Sequence, residues 1–294
     1  MATAARRIID EPVTEAKASI RALLEGASLE TSVKDLTEID RYPGLLPAGT
    51  DVYVTWLPTL PYRHLVSVSA RIARAGYRPV PHLAARRIAD AAIAEDLLGR
   101  LNGEAGVDKA LVIGGDIDRP VGPYEDAAAL LASGVLERHG IRSVGLAAYP
   151  EGHPKVSGAR LAEALREKLR IAADAGLSPY LVSQFAFEAE AIRRWMAGLA
   201  AEGVRVPLRI GLAGPASVRT LINFGLRCGV GASLRAVKSH GLSLTRLLAE
   251  TGPENVIADL AAAPLPAADA RLHFFSFGGF ERTARWLSAY AEAQ

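Results

Sequence analysis

The stretch LAAYPEGHP, Leu146 to Pro154, sets a phenol, a carboxylate and an imidazole (Tyr149, Glu151 and His153) within five residues, parted by Pro150 and Gly152. Groups of these types donate, accept and relay protons, and proline next to glycine shapes a turn rather than continuing a strand. Five further polar groups stand where apolar runs finish: Glu30 in SLE, Thr55, His82 in PHL, Asp116 after LVIGG and Gln184 in LVSQFAF. Each has a plainer reading. Glu30 suits a solvated strand end, Asp116 a turn cap ahead of Pro120, and His82 a core histidine bonded to a carbonyl. Gln184 suits a satisfied backbone partner, and Tyr149 and His153 a loop closure. Their shared position, at one strand end after another, is what marks a site.

Those strand ends belong to a regular alternation. Short β-rich runs are Ser28–Thr31, Asp51–Trp56, Arg78–Leu83, Ala110–Gly114, Ser143–Ala148, Tyr180–Phe185, Pro207–Leu212 and Leu272–Phe277. Between them the period is helical: Leu161, Leu165, Leu169 and Ala172 share one face, with Arg160, Glu163, Arg166 and Glu167 outside. Gly76, Gly140, Gly176 and Gly203 stand where helices should end. Eight βα units in 294 residues predict an α/β protein, a single (β/α)8 TIM barrel over 1–294, with an open doubly wound sheet as the runner-up. Residues 1–26 read as an N-terminal helical extension, and the long interval between strands seven and eight, roughly Ala232 to Asp269, as the place of extra helices. In such a barrel the strand ends form one mouth, so the LAAYPEGHP loop lies on the catalytic rim.

Composition narrows the function. Thirty-four basic and 32 acidic residues are mixed along the chain without a basic block, which argues against nucleic acid. The start, MATAARRIIDEP, lacks the apolar stretch of a secretory signal, and apolar runs such as Ala110 to Ile113 fall far short of the roughly 20 residues that span a bilayer. One cysteine, Cys228, permits no internal disulfide and suits a reducing compartment, so a cytoplasmic protein without membrane contact is expected. The six histidines show no metal-ligand spacing, and neither CxxC nor HExxH occurs, so no metal site is expected. A GxSxG elbow and a GxxxxGK[ST] loop are absent, and GVGASL at Gly229 is an incomplete dinucleotide motif.

Taken together, these motifs resemble the methylenetetrahydrofolate reductases, flavin-dependent (β/α)8 barrels of one-carbon metabolism. AAYPEGHP is similar to that family's AYPE-x-HP, PHL at Pro81–Leu83 to its PHL strand end, and GGD at Gly114–Asp116 stands where the family has RGD. DAGLSPYLVSQFAF resembles its DAGA…TQ-F-F segment, and SLE at Ser28–Glu30 its SFE. The resemblance implies an oxidoreductase that interconverts 5,10-methylenetetrahydrofolate and 5-methyltetrahydrofolate by hydride transfer through FAD, with NAD(P)H as electron donor. It makes Glu30 the general acid that opens the folate's five-membered ring, its carboxyl kept protonated by apolar burial. Asp116 becomes a catalytic residue beside pterin and flavin, and Gln184 a folate or nicotinamide contact. Thr55, His82, Tyr149 and His153 become flavin contacts. Relatives carry basic residues just before DAG, where this chain has Ala172 and Ala173, so Lys168 or Arg170 is expected to meet the flavin pyrophosphate instead. Gly278 and Gly279 stand where relatives have asparagine and arginine. Two alternatives remain on this reading: a flavin-independent folate-dependent one-carbon transferase, and an accessory barrel that needs a partner. Tetrahydrofolate derivatives are the expected partners; a homo-oligomer is compatible with the sequence but not fixed by it.

Overall fold

β-Branched and leucine-rich runs that are apolar on both faces suit strands covered on one side by helices and on the other by a barrel interior. The computed structural model describes residues 15–32, 39, 43–57, 59–230, 250–267 and 269–294. Its strands are β1 (Ser28–Ser32), β2 (Asp51–Thr55), β3 (Arg78–Ala84), β4 (Lys109–Ile113), β5 (Ser143–Ala148), β6 (Ser178–Ser183) and β7 (Leu208–Ala213). The two-residue strands β8 (Ala216–Ser217) and β9 (Glu250–Thr251) form a small antiparallel pair, and β10 (Ala270–Phe275) completes the main sheet. That sheet is a closed, parallel barrel in the order β1-β10-β7-β6-β5-β4-β3-β2. Closure is made by β1 against β10, with Ser28 facing His273 and Leu29 facing Phe274.

The expected barrel is therefore the observed one. Strand limits move by one or two residues: β6 starts at Ser178, so Gln184 and Phe185 follow the strand rather than end it. Gly76, Gly140, Gly176 and Gly203 take the positive φ of helix-ending residues. Of the N-terminal extension, residues 15–24 are helical and bury Ile20, Leu23 and Leu24; residues 1–14 lie outside the described ones. In the interval between β7 and the last barrel strand, the described residues hold one further helix, Glu254–Ala261, beyond the usual Val218–Cys228. The remainder of that expectation, residues 231–249 with 268, lies outside the described residues.

Helix Ala91–Ala105 shows how the outer layer is built. Asp90 caps it, accepting a hydrogen bond from the Ile93 amide at 2.7 Å, and Ala94, Leu97, Leu98, Leu101 and Ala105 form the buried stripe. Each buried leucine contributes roughly 1.5–3 kcal/mol. Asp90→Ala is expected to cost about 1 kcal/mol, read as a lower denaturant midpoint at unchanged slope. The helix Gly158–Asp174 differs: Ala172 is its one fully buried residue, and its leucine face is only half covered.

Two apolar layers result. One fills the space between strands and helices. The other, Tyr53, Val80, Leu111, Tyr180 and Val182, plugs the barrel itself. Beneath the plug, Lys109 pairs with Asp51 at 2.6 Å where β4 and β2 begin. Above it lies the mouth.

Candidate active site

Alternation along β1 turns Leu29 into the outer core and Glu30 toward the neighbours it meets across the barrel. The Thr55 hydroxyl at the end of β2 donates to Glu30 Oε1 at 2.5 Å. From β10, His273 Nε2 lies 3.5 Å from Glu30 Oε2, while His273 Nδ1 shares a 2.9 Å hydrogen bond with the Ser28 hydroxyl. His82, from β3, is buried too. Beneath them the Tyr53 ring packs 4.5 Å from His273 and 6.2 Å from His82, and its hydroxyl donates to that of Tyr180 at 3.0 Å. Glu30 Oε2, His82 Nε2 and His273 Nε2 are all buried without a hydrogen-bond partner among the described residues. Orphaned polar atoms are costly in a folded core, so three of them together mark a place prepared for another group or a shared proton.

The electrostatics correct one expectation. Burial alone would raise the Glu30 carboxyl, but His82, His273 and the Thr55 hydroxyl outweigh it and hold the group below its ordinary value. The shift is thus opposite in sign to that of a carboxyl held in apolar walls, because two of its neighbours are imidazoles. Burial lowers His82, and the negative Glu30 only partly offsets this.

The other sequence-predicted residues fall into two groups around this centre. Asp116 is exposed on the loop after β4, turned there by Gly115, whose φ of +99° strains any side chain and whose added Cβ would stand a tight 3.3 Å from Ala84. Gln184 follows β6. Its amide N–H bonds the Ala148 carbonyl at 2.8 Å, and its Oε1 accepts from the Phe185 amide at 3.1 Å. Tyr149 and His153 form an edge-to-face pair with centroids 5.1 Å apart, and His153 Nδ1 accepts from the Lys155 amide. Burial raises the Tyr149 phenol; burial and Lys155 lower His153.

Tyr149 also lines a cleft of about 330 Å³ with Leu161, Leu165, Lys168, Trp195 and Leu199. Lys168 makes no ion pair among the described residues, and burial lowers its ammonium despite Asp126 and Glu167 nearby. Arg170 faces away, exposed and paired with Asp174 at 2.7 Å. So the structure joins Lys168 to Tyr149 and leaves Arg170 outside.

Two features escape the sequence. Arg87 stacks on Trp56 at 4.7 Å, donates to the carbonyls of Trp56 and Leu57 at 2.5 and 2.7 Å, and is the cation that feels Asp116. Its one signal is the AARR that follows PHL. The second is an aromatic wall: Phe224 stacks on Phe277 at 4.1 Å, Phe277 on Phe275 at 5.7 Å, and Phe185 meets both Phe275 and Phe277 edge-on. Phe275 touches the His273 ring at 5.0 Å, which brings the wall to the side of Glu30.

The family model for methylenetetrahydrofolate reductase matches residues 36–229, about two thirds of the chain. The chain belongs to the methylenetetrahydrofolate reductase family. The match takes in Thr55, His82, Asp116, Tyr149, His153 and Gln184, while Glu30 and His273 lie beyond its limits. Membership of the methylenetetrahydrofolate reductase family supports an oxidoreductase role in folate-linked one-carbon metabolism. Among solved structures, a GH18 chitinase from Pseudoalteromonas aurantia is similar at a TM-score of 0.49 and 11% identity, over 91% of this chain and 100% of that one. No helix among the described residues is long and apolar enough to cross a membrane.

Proposed function

We propose that this protein interconverts 5,10-methylenetetrahydrofolate and 5-methyltetrahydrofolate by hydride transfer through FAD, with NAD(P)H as electron donor. The observation that carries this reading is Glu30: a carboxylate at the barrel mouth, with one oxygen bonded to Thr55 and the other without a hydrogen-bond partner among the described residues, beside an aromatic wall. Glu30 passes a proton to the ring nitrogen that leaves the one-carbon unit, and the five-membered ring opens to an iminium ion. Asp116 supplies negative charge that favours that cation, and the Gln184 amide holds the pterin edge. The phenylalanine wall gives a planar heterocycle a stacking surface and excludes water.

The residues present fit a flavin. Among the described residues His82 Nε2 is a buried ring nitrogen without a hydrogen-bond partner, and Lys168 is a cation without an ion pair in the cleft beside Tyr149. Thr55, His82, Asp116, Tyr149 and His153 would hold the cofactor, with Lys168 facing a phosphate; Arg170 is turned elsewhere. Bound flavin supplies the hydride chemistry; the protein orients the reactants and moves the proton. Lys168→Gln is expected to weaken FAD binding about tenfold, in line with losing one charge-assisted contact, measured by quenching of flavin fluorescence.

One observation favours a second reading, a flavin-free one-carbon transferase: Ala172 is fully buried, so the helix offers no cation at the position where relatives carry theirs. A visible spectrum separates the two. Flavin absorbance that is retained by the purified protein, and bleached by 5-methyltetrahydrofolate, supports the redox reading; a protein that takes up no FAD sinks it.

A further inference from the structure

We propose that Lys168 is a site of acylation: its amine takes a short acyl chain from a thioester, and the modified chain no longer offers a cation to the flavin's phosphate. The second half of this rests on the flavin reading; the first half does not. Six lysines stand against 28 arginines in the chain. Lys34 and Lys238 lie outside the described residues. Of the other four, Lys17 donates to the Ala293 carbonyl at 2.9 Å, Lys109 pairs with Asp51 at 2.6 Å, and Lys155 faces Asp118 at 3.6 Å. Lys168 alone of these four has neither an ion pair nor a hydrogen bond among the described residues.

The cleft is what makes this amine reactive. Lys168 is half-buried in it, with Leu161 and Leu165 from its own helix and Trp195 and Leu199 from the helix Ala189–Ala201 opposite. An ammonium among such walls is penalised, and burial does lower this one, although Asp126 and Glu167 stand near enough to oppose the effect. The cleft's carboxylate, Glu202, is engaged by Arg166 at 3.2 Å. A lysine desolvated in a hydrophobic pocket is an activated nucleophile. The product is favoured as well: an amide carries no charge, and its alkyl chain extends the leucine face. Room for that chain exists, since Gly158 and Gly198 line the cleft and a Cβ added to either meets no atom within 4 Å. In the step, neutral Nζ attacks the thioester carbonyl carbon, and a C–N bond forms as the C–S bond breaks. The nitrogen's proton leaves with the sulfur as a free thiol, so nothing is oxidised or reduced.

The test uses the full chain and S-butyryl-N-acetylcysteamine as the acyl donor, with occupancy at every lysine followed by peptide mass spectrometry. Without flavin, Lys168 is expected to be butyrylated at least about fivefold faster than Lys155, whose side chain is 78% exposed. In denaturing urea that preference should vanish with the cleft. A Lys168 rate no greater than that of Lys155, or a preference that survives urea, overturns the proposal. Flavin affinity is then read by fluorescence quenching before and after treatment. Treatment is expected to weaken FAD binding about tenfold in the unaltered chain. In Lys168→Arg, which keeps the charge and offers no amine to the donor, treatment should leave the affinity at its starting value. An equal loss in both proteins, or no loss in the unaltered chain, overturns the link to the cofactor. If the untreated chain binds no FAD, the flavin reading fails, and the labelling rates still decide whether Lys168 is the acylated lysine.

Discussion

Glu30→Gln is expected to lower folate turnover by about 10²–10⁴-fold, the range for removing a positioned general acid, while leaving the barrel folded. The amide is nearly isosteric and can still accept from Thr55, so Tm by circular dichroism and flavin uptake should change little; turnover and the folate-driven bleaching rate are the readouts. A loss below fivefold would remove Glu30 from the chemistry. The same variant has an acid-stability signature. The folded carboxyl titrates below its ordinary value of 4.5. Its stabilising contribution is therefore complete above the unfolded pKa and is lost as pH falls through the folded one. Glu30→Gln should flatten the acid limb of the stability curve over that interval and leave the neutral plateau's shape unaltered.

The largest structural effect is expected at Gly211 in β7. A Cβ there would stand 2.3 Å from the Ser183 carbonyl oxygen, 2.9 Å from the Phe275 ring and 3.0 Å from the Gln184 carbonyl carbon. Two of those neighbours are backbone and cannot rotate away, and the Gly211 amide is bonded to the Ser183 hydroxyl at 2.8 Å. Gly211→Ala must push the end of β6 outward. The expected cost is about 3 kcal/mol, the upper part of the range for overpacking. For a chain of this size that is a Tm decrease of roughly 6–12 °C by calorimetry. Gln184 moves with it, so folate affinity should fall in parallel. Gly103 is the control: it is exposed on the helix Ala91–Ala105, and a Cβ there would meet no atom within 4 Å. Gly103→Ala should raise stability by about 0.5–1 kcal/mol. Equal effects at the two glycines would contradict the packing described for the mouth.

Much of this architecture is legible in one dimension. A strand that is covered on both faces reads as an apolar run, a helix ends on a residue that tolerates positive φ, and a parallel barrel sends every strand end to the same rim. Glu30, Thr55 and His82 can therefore be found by asking what each run ends with, and they do meet. What does not show is pairing across long separations. His273 sits inside an apolar run, HFFSF, as one histidine among six, and its partners on β1 are about 245 residues away. Without that partner the direction of the Glu30 shift is misread as well, since apolar burial and burial beside imidazoles move a carboxyl in opposite directions. Lys168 and Arg170 are indistinguishable as letters. Two residues on a helix are about 200° apart, so only one can face the cleft. The phenylalanine wall comes from three separate elements and has no sequence period at all.

The seam between β1 and β10 has a kinetic consequence. The buried carboxylate of Glu30 and the imidazole of His273 are contributed by the two strands that join last-to-first, through parallel pairs as distant as Ser28 and His273. Contacts of such separation carry the largest loop-closure cost and form slowly. During refolding, helical signal should therefore return before any turnover does, and the lag between them times the annealing of the cylinder. An assembly intermediate with seven strands in place would look native by far-ultraviolet dichroism and be chemically silent.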